Sequence, residues 1–286
     1  MTHSPVNSCC NKDNASKRGF YHRRSDGQYI QRFRCKTCLK SFSQATFDPA
    51  YYQKKRHLNY KCMLLLTSSV SMRRTSIILN IHPITVARKL EYMAAQSRIK
   101  LADYLSDCSF VNAIQFDELQ TIEHTKCKPL SVLVIISKYD RKILGIEVSS
   151  MPAFGHLVHV ARKKYGYRPD LRKEGLVKAL QNVARFVNPK TIFQSDMHPY
   201  YPPIIKSLFP NNQHVCSKGI KSTVSGQGEL KRHERDPLFY INHTLAMLRA
   251  NINRLIRKTW CTTKDPARLR DHLAIYTAVH NQLLTA

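Results

Sequence analysis

The chain has 286 residues, and a hydrophobic share of 43% allows a packed core and argues against a disordered tail. Its 46 lysines and arginines against 19 acidic residues give a formal net charge of +27. Such an excess favours a nucleic-acid partner, because cationic side chains bind phosphates and release the counterions around them. No apolar run approaches the roughly 20 residues that cross a bilayer, so we expect no membrane partner.

Cysteine usage indicates the compartment. The nine cysteines are an odd number, and five of them stand singly in ordinary surroundings. This usage is typical of a reducing compartment with buried thiols and one metal cluster, and not of a disulfide framework. The first residues lack a basic region followed by an apolar one, so we expect no secretory signal. These features predict a cytoplasmic protein.

Changes in composition and in the pattern of apolar residues divide the chain into three predicted segments: 1–50, 51–106 and 107–286. The first is rich in cysteine and basic residues, the second has a helical pattern, and the third alternates apolar strands with helices. Within the third segment, strands are predicted over 110–116, 130–137, 142–148 and 191–195, and helices over 156–165, 174–187, 202–208 and 238–258. This order predicts an α/β architecture with a mixed sheet.

The first segment contains a candidate zinc site. Cys35 and Cys38 form a C-x-x-C knuckle, a spacing at which two thiolates bind one zinc ion. Upstream, Cys9 and Cys10 are adjacent, and adjacent residues do not easily face one metal together, so His3 or Cys10 is the candidate fourth ligand beside Cys9. The pattern predicts a small zinc ribbon with a structural Zn²⁺ ion. The alternative is a turn that carries two thiols and no metal.

The second segment contains a candidate helix-turn-helix. Ser71 is a helix N-cap candidate, and Pro83 suits the first position of the next helix. Val86 and Leu90 are expected to face inward. Two short helices with a basic outer face are typical of a motif that reads the major groove, although a purely structural hairpin is the alternative. The outward residues expected to contact DNA are Arg73, Arg74, Thr85, Arg88 and Lys89.

Two carboxylates follow predicted strands of the third segment. Asp117 comes after the strand 110–116, and Asp196 comes after the strand 191–195. Two such acids in one sheet can converge, and their oxygens are the ligands that Mg²⁺ prefers. Taken singly, such an acid is more often a strand-end cap or a salt-bridge partner.

A basic helix is predicted near the C-terminus. Apolar residues between Ile241 and Leu255 recur at spacings of four and three, which indicates one long helix. Its basic residues form either a phosphate track beside the metal site, which we favour, or a solvated face. They are Arg249, Arg254, Arg257 and Lys258.

Taken together, these motifs resemble bacterial insertion-sequence transposases of the DDE type. The resemblance covers nearly the whole chain and rests on the stretches 32–43, 116–119, 195–199, 242–249 and 257–261. It implies a zinc ribbon, a helix-turn-helix and a ribonuclease-H-like catalytic domain, whose mixed sheet is flanked by helices. It also implies a bacterial cytoplasmic protein associated with the nucleoid.

The resemblance implies three metal-binding residues. They are Asp117, Asp196 and Asn242, with Arg249 seven positions later as the basic partner. Many relatives have Glu in the third place, but an amide oxygen also binds Mg²⁺, as in protein kinases. Glu229 is the alternative third ligand, and the other nearby carboxylates that could help to hold the metal are Glu234 and Asp236. The zinc ribbon departs from the family too, because Ser4 stands where relatives usually have a cysteine.

The implied function is DNA strand transfer with two Mg²⁺ or Mn²⁺ ions. Such a transposase binds the inverted-repeat ends of its element and a target DNA, cleaves phosphodiesters and joins strands. A homodimer or higher oligomer is expected, since two DNA ends must be brought together. The alternatives are a non-catalytic DNA-binding regulator, in which the zinc ribbon and the helix-turn-helix carry the function, and an inactive transposase copy.

Overall fold

The computed structural model describes residues 7–51, 53–106, 110–218, 236–256 and 261–284. Its chain divides into two compact units, residues 1–61 and 62–286. Most of the predicted helix-turn-helix segment thus shares a unit with the predicted catalytic segment. Within the described ranges, no helix combines the length and apolar character that crossing a membrane requires.

The first unit is built on an antiparallel sheet in the order β1-β2-β3. The strands are β1 (Ala15–Arg23), β2 (Gln28–Cys35) and β3 (Ser41–Ser43). The turn between β1 and β2 contains Gly27 with a φ of +71°, which glycine adopts at little cost. Phe33 and Phe42 stack with ring centroids 5.4 Å apart and form a small core with the cysteines.

Three helices precede the large sheet: α1 (Asn59–Leu66), α2 (Met72–Ile78) and α3 (Pro83–Ser106). The side chain of Ser71 accepts a hydrogen bond from the Arg74 backbone N–H at 3.2 Å, and α3 begins at Pro83, both as predicted. However, α3 has 24 residues and is not the short helix expected. It is extended because it packs along a C-terminal helix, α8 (Pro266–Val279), which the sequence analysis missed.

The second unit contains a mixed five-stranded sheet in the order β6-β5-β4-β7-β8. Its strands are β4 (Ala113–Glu123), β5 (Thr125–Ser137), β6 (Ile143–Ser150), β7 (Ile192–Ser195) and β8 (His214–Cys216). The pairs of β5 with β4 and with β6 are antiparallel, whereas β7 is parallel to both β4 and β8. The mixed sheet was predicted; β8 was not, because three partly exposed residues leave little apolar pattern.

Helices cover both faces of this sheet. The remaining ones are α4 (Leu157–Tyr165), α5 (Arg172–Val183), α6 (Tyr201–Leu208) and α7 (Phe239–Asn251). Leu119 and Val134 pack with α7 and α8 on one face, while Phe116 and Ile135 pack with α5 and α6 on the other. Successive residues of a strand point to opposite faces. Odd-numbered residues of β4, including Asp117, therefore face α7.

The predicted long helix 238–258 is wrong at its C-terminal end. Helix α7 stops at Asn251, Ile252 is extended (φ −105°, ψ 106°), and a 3-10 turn follows. The Asn251 carbonyl accepts from the Ser69 backbone N–H at 2.8 Å, and the Asn253 side chain donates to the Ser69 carbonyl at 3.2 Å. These bonds to a distant loop end the helix, although Ile252 and Leu255 still reach the same core.

Candidate metal-dependent active site

Asp117 and Asp196 lie on neighbouring segments of the sheet. Gln115 of β4 pairs directly with Gln194 of β7, and each aspartate comes two residues after its glutamine. Asp117 is still within β4, whereas Asp196 directly follows β7, and the negative charge of Asp196 acts on the Asp117 carboxylate. Both carboxylates are half-buried. The structure brings together the two acids that the sequence analysis selected.

A buried glutamine connects the segments that carry the candidate ligands. Gln115 is 0% exposed. Its Nε2 donates to Gln194 Oε1 at 2.9 Å and to the Pro237 carbonyl at 2.7 Å, and its Oε1 accepts from the Ile241 backbone N–H at 3.0 Å. One side chain thereby joins β4, β7 and the start of α7. These three segments carry Asp117, Asp196 and Asn242.

The start of α7 depends on distant partners for its hydrogen bonds. The first N–H groups of a helix have no partner inside the helix, and Leu238 at the N-cap position supplies no side-chain acceptor. Gln115 accepts from the third helical residue, Ile241. Asp236, which is 2% exposed, accepts from the Leu238 backbone N–H at 3.0 Å. The position of Asn242 relative to the sheet follows from these bonds.

The carboxylate of Asp117 lies in an electrostatic environment that disfavours its charge. Burial raises its pKa to about 7, and the negative charges of Asp196 and Glu118 act in the same direction. The Glu118 backbone N–H, which donates to Asp117 Oδ1 at 2.7 Å, and the positive charge of Arg249 act in the opposite direction. Arg249 lies two helical turns beyond Asn242, and its charge acts on Asp117.

Glu118 belongs to the opposite face of the sheet. The Tyr200 hydroxyl and the Ser131 hydroxyl both donate to its carboxylate, the latter at 2.6 Å. The Arg172 guanidinium lies 5.8 Å from the centre of the Tyr200 ring. With both oxygens engaged there, Glu118 does not join the carboxylate pair on the α7 face.

His198 fixes the orientation of Asp196. Its backbone N–H donates to Asp196 Oδ1 at 3.1 Å, and its ring lies 4.1 Å from the Tyr200 ring, centre to centre. Its Nδ1 atom is buried and has no hydrogen-bond partner within the described ranges. The loop after β7 therefore restrains the Asp196 carboxylate, whose negative charge acts on Asp117.

The donor set of this site fits a hard divalent cation. Two carboxylates and one amide offer only oxygen ligands, which Mg²⁺ and Mn²⁺ prefer. Because burial and the neighbouring carboxylates raise the pKa of Asp117, a cation between the two acids would relieve their repulsion. Asp117, Asp196 and Asn242 are thus the residues that could hold such an ion. The alternative ligand Glu229 lies outside the described residues.

The predicted DNA-contacting residues of the helical segment divide into two groups. Arg73, Arg74 and Arg88 are exposed, and Thr85 is half-buried. The expectation that Lys89 faces outward is wrong: Lys89 is 3% exposed, and burial lowers its pKa. It shares the inward side of α3 with Val86 and Leu90, because positions three and four apart lie on one face of a helix.

The predicted basic track along the C-terminal helix is also corrected. Arg254 lies beyond the end of α7, and its guanidinium approaches the Met72 sulfur at 3.1 Å. The guanidinium of Arg254 is largely buried, and this burial lowers its pKa. Its charge therefore faces the protein interior and is not part of a phosphate track. Arg257 and Lys258 lie outside the described residues. Of the four predicted residues, Arg249 is the one described beside the candidate site.

Four cysteines of the first unit form a compact group. The sulfur atoms of Cys9, Cys10, Cys35 and Cys38 all lie within 4.8 Å of one another, and those of Cys10 and Cys38 are 3.3 Å apart. The expectation that adjacent cysteines do not easily face one metal is therefore corrected. The Cys10 backbone N–H donates to the Asn7 carbonyl at 2.9 Å, and this turn directs both side chains to one point.

The thiols of this group differ in acidity. A hydrogen bond from the Lys40 backbone N–H lowers the pKa of Cys38 to about 6, whereas burial raises that of Cys10 to about 12. Zinc with Zn–S bonds of about 2.3 Å places its four sulfurs about 3.8 Å apart, which agrees with this spacing. The four thiols suit a structural zinc ion. The alternative ligand His3 and the departure at Ser4 lie outside the described residues.

The sequence analysis missed Gln115, Gln194 and the role of Asp236. A polar residue inside an otherwise apolar strand, as in Ile114-Gln115-Phe116, was the available signal, since buried polar groups need hydrogen-bond partners. The partners themselves lie 79 to 126 residues away along the chain. No local pattern could have supplied them.

Comparisons with known proteins gave weak structural likenesses. No protein-family model matches the sequence, and no curated protein matches it. The catalytic domain of the Mos1 mariner transposase is similar at 14% identity and a TM-score of 0.28, covering 68% of this chain and 87% of that one. The same catalytic domain with raltegravir and Mg gives 11% identity and a TM-score of 0.29, covering 69% and 91%.

A chain of a simian T-cell lymphotropic virus intasome, in complex with a PP2A regulatory subunit, is similar at 12% identity and a TM-score of 0.25. The match covers 74% of this chain and 71% of that one. Likenesses of this strength assign no function. The functional conclusion rests on the geometry of the site itself.

Proposed function

We propose that this protein is a DDE-type transposase of a bacterial insertion sequence, with Asn in the third metal-binding position. The observation that carries the proposal is the Gln115 connection. It joins the two parallel segments that present Asp117 and Asp196 to the helix that presents Asn242. Metal-dependent phosphoryl transfer needs oxygen donors gathered around the metal ions, and this connection between the three segments supports such a gathering.

Each residue of the candidate site has its own role in the proposed reaction. Asp117, Asp196 and Asn242 would hold two Mg²⁺ or Mn²⁺ ions, which activate the attacking oxygen and stabilise the leaving one when bound. Arg249, whose positive charge acts on Asp117, is placed to stabilise negative charge that develops on a phosphate. His198 keeps the Asp196 carboxylate oriented.

Further parts of the chain supply DNA affinity. The net charge of +27 supports binding to element-end DNA and to target DNA. We assign groove contacts to the exposed Arg73, Arg74 and Arg88 with Thr85, and a structural zinc ion to the cysteine group. Because two DNA ends must be joined, the active form is a dimer or a higher oligomer on DNA.

The test compares nicking with binding. Purified full-length protein is incubated with Mg²⁺ or Mn²⁺ and labelled DNA that carries the inverted repeats flanking its coding region. Asp117→Asn should abolish metal-dependent nicking while DNA affinity stays the same or rises, because one negative charge is lost. Asp140→Asn is the matched control, since Asp140 is exposed in the β5–β6 turn and should leave nicking unchanged.

The same assay separates the alternatives. Wild-type protein that binds the repeats with a steep salt dependence, and never nicks them with either metal, would indicate the non-catalytic regulator or an inactive copy. A collapse of DNA affinity in Asp117→Asn would show that this carboxylate has a structural role, and the catalytic proposal would fail.

A further inference from the structure

Asp236 is a buried acid with two assigned hydrogen bonds at the start of α7. It is 2% exposed, and its Oδ1 accepts from the Leu238 backbone N–H at 3.0 Å. Its Oδ2 accepts from Asn242 Nδ2 at 2.9 Å. Its own carbonyl accepts from the Phe239 backbone N–H at 3.0 Å. Backbone and side chain are both held, so the carboxylate is a rigid acceptor beside Asn242.

This contact fixes the orientation of the Asn242 amide, with one edge on Asp236 and the other turned away from it. An ionised carboxylate only accepts hydrogen bonds, whereas an amide has one donor edge and one acceptor edge. Asp236 therefore selects Nδ2 and turns Oδ1 to the other side. A metal ion needs Oδ1, because Nδ2 carries two hydrogens and offers no lone pair. Without a fixed acceptor, the amide could present either edge.

We infer that Asp236 is a positioning residue, which orients the Asn242 amide so that its oxygen faces the ions held by Asp117 and Asp196. The inference rests on the proposed function. It also accounts for the neutral third ligand: Asp236 supplies a negative charge one hydrogen bond behind the amide, as carboxylates do behind metal-bound histidines. Partners of that kind change metal affinity by about 10- to 100-fold when they are removed.

The first measurement is Mn²⁺ binding to the full-length protein, by electron paramagnetic resonance and by calorimetry. In Asp236→Asn, the retained Oδ1 still accepts from Leu238, but the new amide nitrogen would face Asn242 and favour the flipped amide. We expect a roughly 10- to 100-fold weaker Mn²⁺ affinity with an unchanged unfolding midpoint in metal-free buffer. The unchanged midpoint shows that the start of α7 is intact.

The second measurement repeats the substitution where no orientation is needed. In Asn242→Asp, the third ligand is a carboxylate, which presents an oxygen whichever way it is turned. If Asp236 acts by orienting the amide, Asp236→Asn should weaken Mn²⁺ binding by about 10- to 100-fold in the wild type and by much less in the Asn242→Asp variant. A purely structural role for Asp236 predicts equal weakening in both backgrounds.

The outcomes separate this inference from the proposed function. If Asp117→Asn binds Mn²⁺ as the wild type does, the proposed metal site is wrong. If Asp117→Asn loses binding and Asp236→Asn either keeps it or weakens it equally in both backgrounds, the metal site stands and the role of Asp236 is overturned.

Discussion

Replacing Gln115 by Met tests the connection between sheet and helix. Methionine keeps the length of the side chain but removes three hydrogen bonds, to Gln194, Pro237 and Ile241. Each buried partner left without a hydrogen bond costs about 1–3 kcal/mol. Gln194 is half-buried and Pro237 is exposed, so both can turn to solvent, and the main loss is the buried Ile241 N–H. We expect a loss of about 2 kcal/mol in the free energy of unfolding.

The assay is urea unfolding of the full-length protein, followed by circular dichroism, with thermal unfolding beside it. For a unit of this size, about 2 kcal/mol corresponds to a fall in midpoint of about 4–8 °C. Gln120→Met is the matched control, because Gln120 is exposed on the same strand and should change stability by less than about 0.5 kcal/mol. Metal-dependent nicking by Gln115→Met should fall at temperatures where the variant is still folded.

One result would refute this reasoning. If Gln115→Met unfolds at the same urea concentration as Gln120→Met and nicks DNA at the wild-type rate, then α7 is held by its apolar contacts alone. The buried Ile241, Leu245 and Leu248 would be the ones to supply them. The glutamine would then not be what brings the third ligand to the sheet.

Two further predictions concern the cysteine group and a buried histidine. The purified protein should contain one zinc ion per chain by mass spectrometry. Cys35→Ser should lose the zinc and lower the unfolding midpoint of the first unit, because the core of that unit is small. Cys216→Ser, at an exposed cysteine outside the group, should keep the zinc. His272 is fully buried with Nε2 2.7 Å from the Leu66 carbonyl, and burial lowers its pKa to about 4. The unfolded chain then binds the proton more tightly than the folded one. The free energy of unfolding should therefore be unaffected above about pH 7 and fall by about 2 kcal/mol between about pH 6.5 and 5. Urea unfolding measured at several pH values should show this fall in the wild type and not in His272→Gln. Retained zinc in Cys35→Ser, or an identical pH dependence in His272→Gln, would contradict the respective prediction.

Local signals determined the parts of the fold that depend on near neighbours. The cap at Ser71, the helix start at Pro83 and the main strands of the large sheet follow from hydrogen bonds and apolar periodicity within a few residues. Asp117 and Asp196 could be selected in the same way, because an acid that follows an apolar run is visible in the sequence. Asp196 does directly follow β7, but the predicted strand end at 116 is wrong, since β4 continues to Glu123 and contains Asp117. Their common register became visible only when β4 and β7 were paired.

Tertiary structure decided the features that depend on residues far away in the sequence. Lys89 lies on the buried side of α3, near Cys62 of α1, in a region where Ile275 of α8 completes the core almost 190 residues later. Helix α7 ends at Asn251, where Ile252 becomes extended and the backbone N–H of the distant Ser69 caps the Asn251 carbonyl. Gln115 and Asp236 acquire their roles only where strands and helix meet. A sequence shows which groups can donate or accept a hydrogen bond, but which pairs form is set by the packing that removes water around them.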